Sequence, residues 1–170
     1  MSPKKTLLLF RHAKSSWADA GIADQDRPLN ERGRKAAARM GRLMRDERIT
    51  PDLVLSSTSR RTRETAELAF AELGPSPFPV HYLDDLYHAD PTQIAHILSQ
   101  ISEPDACVML LGHNPGLEEF LALHTGQKQS FPTAGLAVID FKLKSWNQFS
   151  ESLHGSLRHL WKPKQLSDES

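Results

Sequence analysis

Strand-length apolar runs alternate with longer amphipathic stretches along this chain. The runs are Thr6 to Phe10, Asp52 to Ser56, Val80 to Leu83 and Ala106 to Leu111, all rich in Val, Leu, Ile or Met. Between the first two, Glu31 to Asp46 reads as a helix. Ala37, Met40, Leu43 and Met44 recur at spacings of three and four, six arginines or lysines take the other faces, and Gly33 and Gly41 weaken it slightly. Ser57 is placed to cap a second helix running to about Leu73, where Gly74-Pro75 ends it. Pro91 opens a third, to Ile101, and Asn114-Pro115 caps and opens a fourth that stops near Gly126. Gly135 to Phe141 and Ser156 to Trp161 alternate like strands near a sheet edge, joined by a polar connection. The pattern predicts an α/β fold, a three-layer sandwich with a mostly parallel central sheet flanked by helices. The tail, 163–170, is expected to be disordered.

Composition narrows the class. At 170 residues, 39% hydrophobic and 25% charged, the chain is expected to form one domain with a core over about 5–162. Twenty-one Lys and Arg balance 21 Asp and Glu, so no net field draws in nucleic acid or an anionic membrane, and any anion must be bound locally. The single cysteine, Cys107, lies in an apolar run, which excludes a disulfide framework and a multi-cysteine metal site and predicts a buried, inert thiol. The first apolar run is only five residues long before Arg11 and His12, so neither a signal-peptide core nor a membrane span is read there. A cytoplasmic location is expected. Oligomeric state is not written in the pattern.

In doubly wound α/β proteins, ligands gather beyond the carboxyl ends of the strands. Three runs end suggestively. The first delivers Arg11-His12, the second leads through Ser56-Ser57 to Arg60-Arg61, and the fourth delivers Gly112-His113-Asn114-Pro115. Two histidines and two or three arginines would converge on one rim, two of the groups at helix starts whose free amides favour anions. Such a cation cluster in a neutral protein calls for an anionic ligand, and the chemistry is that of a phosphate site.

These residues carry a resemblance. Leu9-Phe10-Arg11-His12-Ala13 is similar to the Arg-His-Gly signature of the histidine phosphatase (phosphoglycerate mutase-like) superfamily. The segment from Asp26 to Gly33 resembles its Asp-x-Pro-Leu-Thr-x-x-Gly element, Ser56 to Thr65 its Ser-Ser-Pro-x-x-Arg block, and Leu111-Gly112-His113 its second histidine. Four motifs in order over about 5–142 make chance a poor explanation. The Arg-His-Ala-Lys-Ser opening with Trp17 brings the chain nearest the phosphohistidine phosphatase SixA branch.

The resemblance implies a metal-independent phosphatase without a cofactor, acting on a phosphorylated protein or small phosphometabolite. His12 would attack phosphorus and form a covalent phosphohistidine that water hydrolyses. Arg11 and Arg61 would bind non-bridging oxygens and His113 would donate to the third, with Lys14 and Ser15 as further substrate contacts. The neighbouring cations should keep His12 deprotonated, while an unidentified carbonyl or carboxylate orients its other nitrogen. Ala13 replaces the signature glycine and Thr58 the usual proline. The mutase-like glutamate after the third strand is missing, leaving Asp85 or His88, or neither, as general acid. An imidazole leaving group needs no strong acid, so a missing acid favours phosphoramidates. The alternatives are a small-molecule phosphomonoesterase using Asp85 or His88 and a catalytically weak phosphate-binding regulator. A metal site built on His12, His88, His113 and Asp85 is disfavoured, because flanking arginines repel a divalent cation. Trp17 either walls the pocket or buries itself, and Asp26 reads as a turn residue.

Overall fold

A computed structural model describes residues 3–75 and 78–166. Six strands form one sheet: β1 (Lys5–Arg11), β2 (Leu53–Ser57), β3 (Val80–Leu83), β4 (Cys107–Gly112), β5 (Leu136–Phe141) and β6 (Gly155–Trp161). Their order is β3-β2-β4-β1-β5-β6. The first four strands run parallel, while β5 pairs antiparallel with both β1 and β6. Four helices complete the fold: α1 (Glu31–Asp46), α2 (Arg60–Ala71), α3 (Pro91–Ser99) and α4 (Gly116–Thr125).

The period-two side-chain alternation of the strands builds the two cores. Leu7, Leu9, Leu55, Val108, Leu110, Ala137 and Ile139 face Ile94 and Leu98 of α3 and Leu117 and Phe120 of α4. The intervening Leu8, Phe10, Val54, Met109, Leu111 and Val138 face Met40 and Met44 of α1 and Ala66 and Ala69 of α2. Central strands buried on both faces read as continuous apolar runs for this reason. The three-layer expectation is met.

Several boundaries shift. β2 extends through Ser57, so Ser59 is the N-cap of α2, its hydroxyl oxygen accepting from Thr62 N. The helix expected to open at Asn114-Pro115 begins at Gly116, with Asn114 Oδ1 accepting from Glu118 N at 3.2 Å. β5 is interior, and the true edges are β3 and β6. The expected frayed tail begins instead as a 3-10 turn at Pro163–Gln165, with Pro163 buried and Leu166 packed on the α1 side; residues 167–170 lie outside the described residues. Cys107 is half-buried, and burial pushes its thiol up to about 12. Among the described residues, no helix is long and apolar enough to cross a membrane.

Two glycines fix how helices approach the strand ends. A Cβ at Gly33 would lie 2.1 Å from the carbonyl oxygen of Lys14, so α1 abuts the loop that follows His12 because this residue has no side chain. At Gly116 a Cβ would lie 1.9 Å from the carbonyl oxygen of Ala89, which seats α4 against the loop carrying His88.

Candidate active site

The strand order places the carboxyl ends of β2, β4 and β1 side by side. Arg11 is in register with Gly112, and the next residue of each strand is a histidine. His12 N donates to Gly112 O at 3.1 Å, and the His12 and His113 rings lie 5.2 Å apart. Arg61, in the first turn of α2, is only 3% exposed and reaches His113 Nδ1 at 3.4 Å. Sheet topology thus brings together Arg11, His12, Arg61 and His113.

The hydrogen bonds define both imidazoles. His12 Nδ1 lies 2.7 Å from the carbonyl oxygen of Ala13. A carbonyl only accepts, so the proton of the neutral ring sits on Nδ1 and the Nε2 lone pair is free. That carbonyl is the orienting group the motifs left unidentified. The adjoining amide of Ala13 donates to Thr65 Oγ1, which itself donates to Arg61 O, tying the nucleophile candidate's loop to α2. Burial, chiefly, and then Arg61, Arg11 and Arg27 hold the His12 pKa down to about 3, so Nε2 stays unprotonated near neutrality.

His113 has the opposite tautomer. Arginine only donates, so Nδ1 facing Arg61 carries the lone pair and Nε2–H donates to Ser57 Oγ at 2.8 Å. Burial, His12 and Arg61 lower its pKa to about 2.

The arginines are incompletely partnered. Arg11 Nη1 donates to Phe131 O at 2.9 Å, an oxygen that also accepts from Asn114 Nδ2. The buried Nε–H groups of Arg11 and Arg61 have no acceptor within the described residues, so each guanidinium has donor capacity beyond what the protein uses.

Three contributors escaped the sequence reading. Asp24, in a 3-10 turn at Asp24–Asp26, takes Arg61 Nη2 on Oδ2 at 3.2 Å and Arg61 Nη1 on its backbone oxygen at 2.8 Å. Its Oδ1 accepts from Arg27 Nε at 3.1 Å, and Tyr87 OH donates to Oδ2. Tyr87 and the two arginines hold the Asp24 carboxyl well below the usual carboxylate range. Tyr87 stands edge-on to His113, centroids 5.4 Å apart, and Arg27 is buried with Nη1 on Ser15 Oγ at 3.0 Å. Thus part of the counter-charge that the cation cluster demanded comes from the protein itself. No spacing singles out Asp24, but the same charge argument would have prompted a search for an internal carboxylate.

The remaining expected residues separate. His88 sits on the rim, its ring 5.2 Å from His113 and its Nε2 3.5 Å from Asp24 Oδ2. Asp85 instead lines a groove with Leu53, Leu55, His81, Leu83 and His96. Lys14 is exposed and its backbone oxygen accepts from Asn30 N, whereas Ser15 is buried with its hydroxyl oxygen committed to Arg27. Arg60 faces solvent and pairs with Glu64.

Known proteins share this fold. The model of the histidine phosphatase superfamily (branch 1) matches residues 7–100. A chloroplastic protein of Arabidopsis thaliana is 32% identical over 155 residues, 86% of this chain and 71% of its own length. The SixA-type protein of Agrobacterium tumefaciens superposes with a TM-score of 0.80 at 32% identity, covering 94% of this chain and 98% of that one. A SixA structure complexed with tungstate, at 22% identity and a TM-score of 0.78, shares the fold over 95% of this chain and 99% of its own. With the family model spanning more than half of the 170 residues, the chain belongs to the histidine phosphatase superfamily, branch 1.

Proposed function

We propose that this phosphatase acts on phosphohistidine in proteins, through a covalent intermediate on His12. The observation that carries the reading is the bond from His12 Nδ1 to Ala13 O, which leaves an unprotonated Nε2 on a buried imidazole with arginines nearby. The family fixes the reaction class as hydrolysis of a phosphoryl group. The SixA-type relative from Agrobacterium carries the name phosphohistidine phosphatase, which supports the substrate class.

In the first step the Nε2 lone pair bonds to phosphorus as the bond from phosphorus to the substrate's nitrogen breaks. The bonding electrons leave with the imidazole nitrogen, which takes up a proton from solvent where the ring's other nitrogen does not already carry one. In the second step a water oxygen bonds to phosphorus, the bond to Nε2 breaks with its electrons returning to His12, and the water's proton leaves with product or solvent. Arg11 and Arg61 bind the non-bridging oxygens and offset the charge that a metal would otherwise offset, so turnover is metal-independent. His113 can donate to the third oxygen only once Nδ1 gains a proton, and an incoming phosphoryl anion favours that step by stabilising the imidazolium. The proposal extends to turnover in the cytoplasm.

One observation favours a second reading. His88 stands on the rim beside Asp24 and His113, where it could protonate an alkoxide, as a small-molecule phosphomonoesterase requires. A turnover panel of phosphohistidine peptide, aryl phosphate and alkyl phosphate decides between them. The phosphohistidine reading predicts that the first two exceed the alkyl ester by at least about 10²-fold, the effect of lacking a general acid. Comparable rates on aryl and alkyl esters would favour the phosphomonoesterase.

A further inference from the structure

Trp17 is 77% exposed, and among the described residues only Leu123 is another large hydrophobic side chain so open to solvent. It is not loose. The indole lies over the Arg27 guanidinium, whose Cζ is 3.6 Å from the ring centroid. Arg27 is itself buried and tied down, by Ser15 Oγ at 3.0 Å and by Asp24 Oδ1 at 3.1 Å from both Nε and Nη2. The second oxygen of the same carboxylate holds Arg61. Trp17 therefore has one face fixed on a buried cation one carboxylate away from the proposed phosphate arginine, and one face bare.

A largely exposed indole held on one face is the kind of side chain that anchors protein recognition, because less conformational freedom is lost when its open face is covered. Its surroundings limit what can cover it. The exposed loop from Trp17 to Asp26 carries Asp19, Asp24 and Asp26, which disfavour a second acidic group, while its Ala18, Ala20 and Ile22 are apolar. A cation is disfavoured on the bare face because Arg27 already occupies the other side of the same ring. A large apolar side chain meets none of these penalties.

We propose that Trp17 is a specificity-determining contact that receives a large apolar side chain flanking the phosphohistidine of a polypeptide substrate. This rests on the phosphohistidine reading and adds to it a preference for sequence context.

The test uses phosphohistidine peptides that differ only in the flanking residues, Leu or Phe against Gly against Asp, with an aryl phosphate as a substrate that has no flanking chain. In the parent enzyme kcat/KM should run about 5- to 20-fold higher for the apolar peptide than for the Gly peptide, and lowest for Asp, the range expected of one buried apolar contact. Trp17→Ala should bring the apolar and Gly peptides together while aryl phosphate turnover stays within about twofold, and Trp17→Phe should keep most of the preference. Equal rates on all peptides in the parent, or a preference surviving Trp17→Ala, would overturn the proposal. A uniform loss that includes the aryl phosphate would also overturn it, showing that Trp17 acts only by propping Arg27. Turnover of the aryl phosphate with none of any peptide would instead defeat the phosphohistidine reading, and this proposal with it.

Discussion

Asp24 holds both terminal nitrogens of Arg61, Nη2 through its carboxylate at 3.2 Å and Nη1 through its backbone oxygen at 2.8 Å. The arginine is thereby aimed before any ligand arrives, and the same carboxylate is a negative charge that an incoming phosphoryl group must approach. Two opposite charge effects thus meet at one residue.

Their balance is measurable in Asp24→Asn. The amide oxygen still accepts from Arg61, but the repulsion of a phosphate anion is gone, a change of about 1 kcal/mol for unit charges near 4 Å in water-like surroundings. Inorganic phosphate should inhibit the variant about fivefold more tightly than the parent. Weaker inhibition would mean that aiming Arg61 outweighs the repulsion.

Arg61→Lys should be far from conservative. One ammonium cannot reach the Asp24 backbone, its carboxylate and His113 Nδ1 together, as the guanidinium does. Steady-state kinetics should show kcat/KM lower by about 10²- to 10³-fold, the usual loss when one charged donor is removed from a developing charge. A loss below about threefold would remove Arg61 from the phosphate site.

Much of this site was legible because strand ends are legible. Arg11, His12 and His113 follow apolar runs that pair directly, so finding β1 and β4 brings the histidines together. Arg61 followed from motif spacing, which chose it over Arg60, and the structure buries the first while the second faces solvent. Asp24, Arg27 and Tyr87 were not legible as a group, since they lie in loops that meet only after the sheet has formed. Ser57 read as a helix cap because its pairing to Leu83 of β3, which extends β2 by one residue, depends on tertiary contact.

The two expected acids now separate. His88→Ala should slow alkyl phosphates no more than aryl phosphates if no general acid operates, and Asp85→Asn should leave both unchanged, its side chain lying in the groove beside β3 and α3. Parallel assays on the two ester classes check this. A loss of about 10² or more confined to alkyl phosphates in His88→Ala would establish that residue as the acid.

Acid should destabilise the fold through buried neutral histidines. Folded pKa values of about 3 for His12 and about 2 for His113 lie below the unfolded value near 6.5, and burial lowers His124 as well. The unfolded chain therefore binds more protons in this window, so stability is full above pH 6.5 and falls as pH drops toward 3 and then 2. His124 lies outside the site, with Nδ1 on Leu153 O at 2.6 Å and no partner for buried Nε2 among the described residues. Denaturant melts from pH 7 to pH 4 should show the decline, with a shallower slope in His124→Gln. A pH-independent midpoint across that range would refute the neutral assignments.

The central claim, that His12 Nε2 carries the phosphoryl group, is tested most directly by rapid quench of the enzyme with a labelled phosphohistidine or aryl phosphate donor, followed by peptide mapping. The account predicts a label that is acid-labile, base-stable and confined to the peptide containing His12, and absent from a folded His12→Asn variant that no longer turns over substrate. Label on another residue, or substantial turnover by His12→Asn, would contradict it.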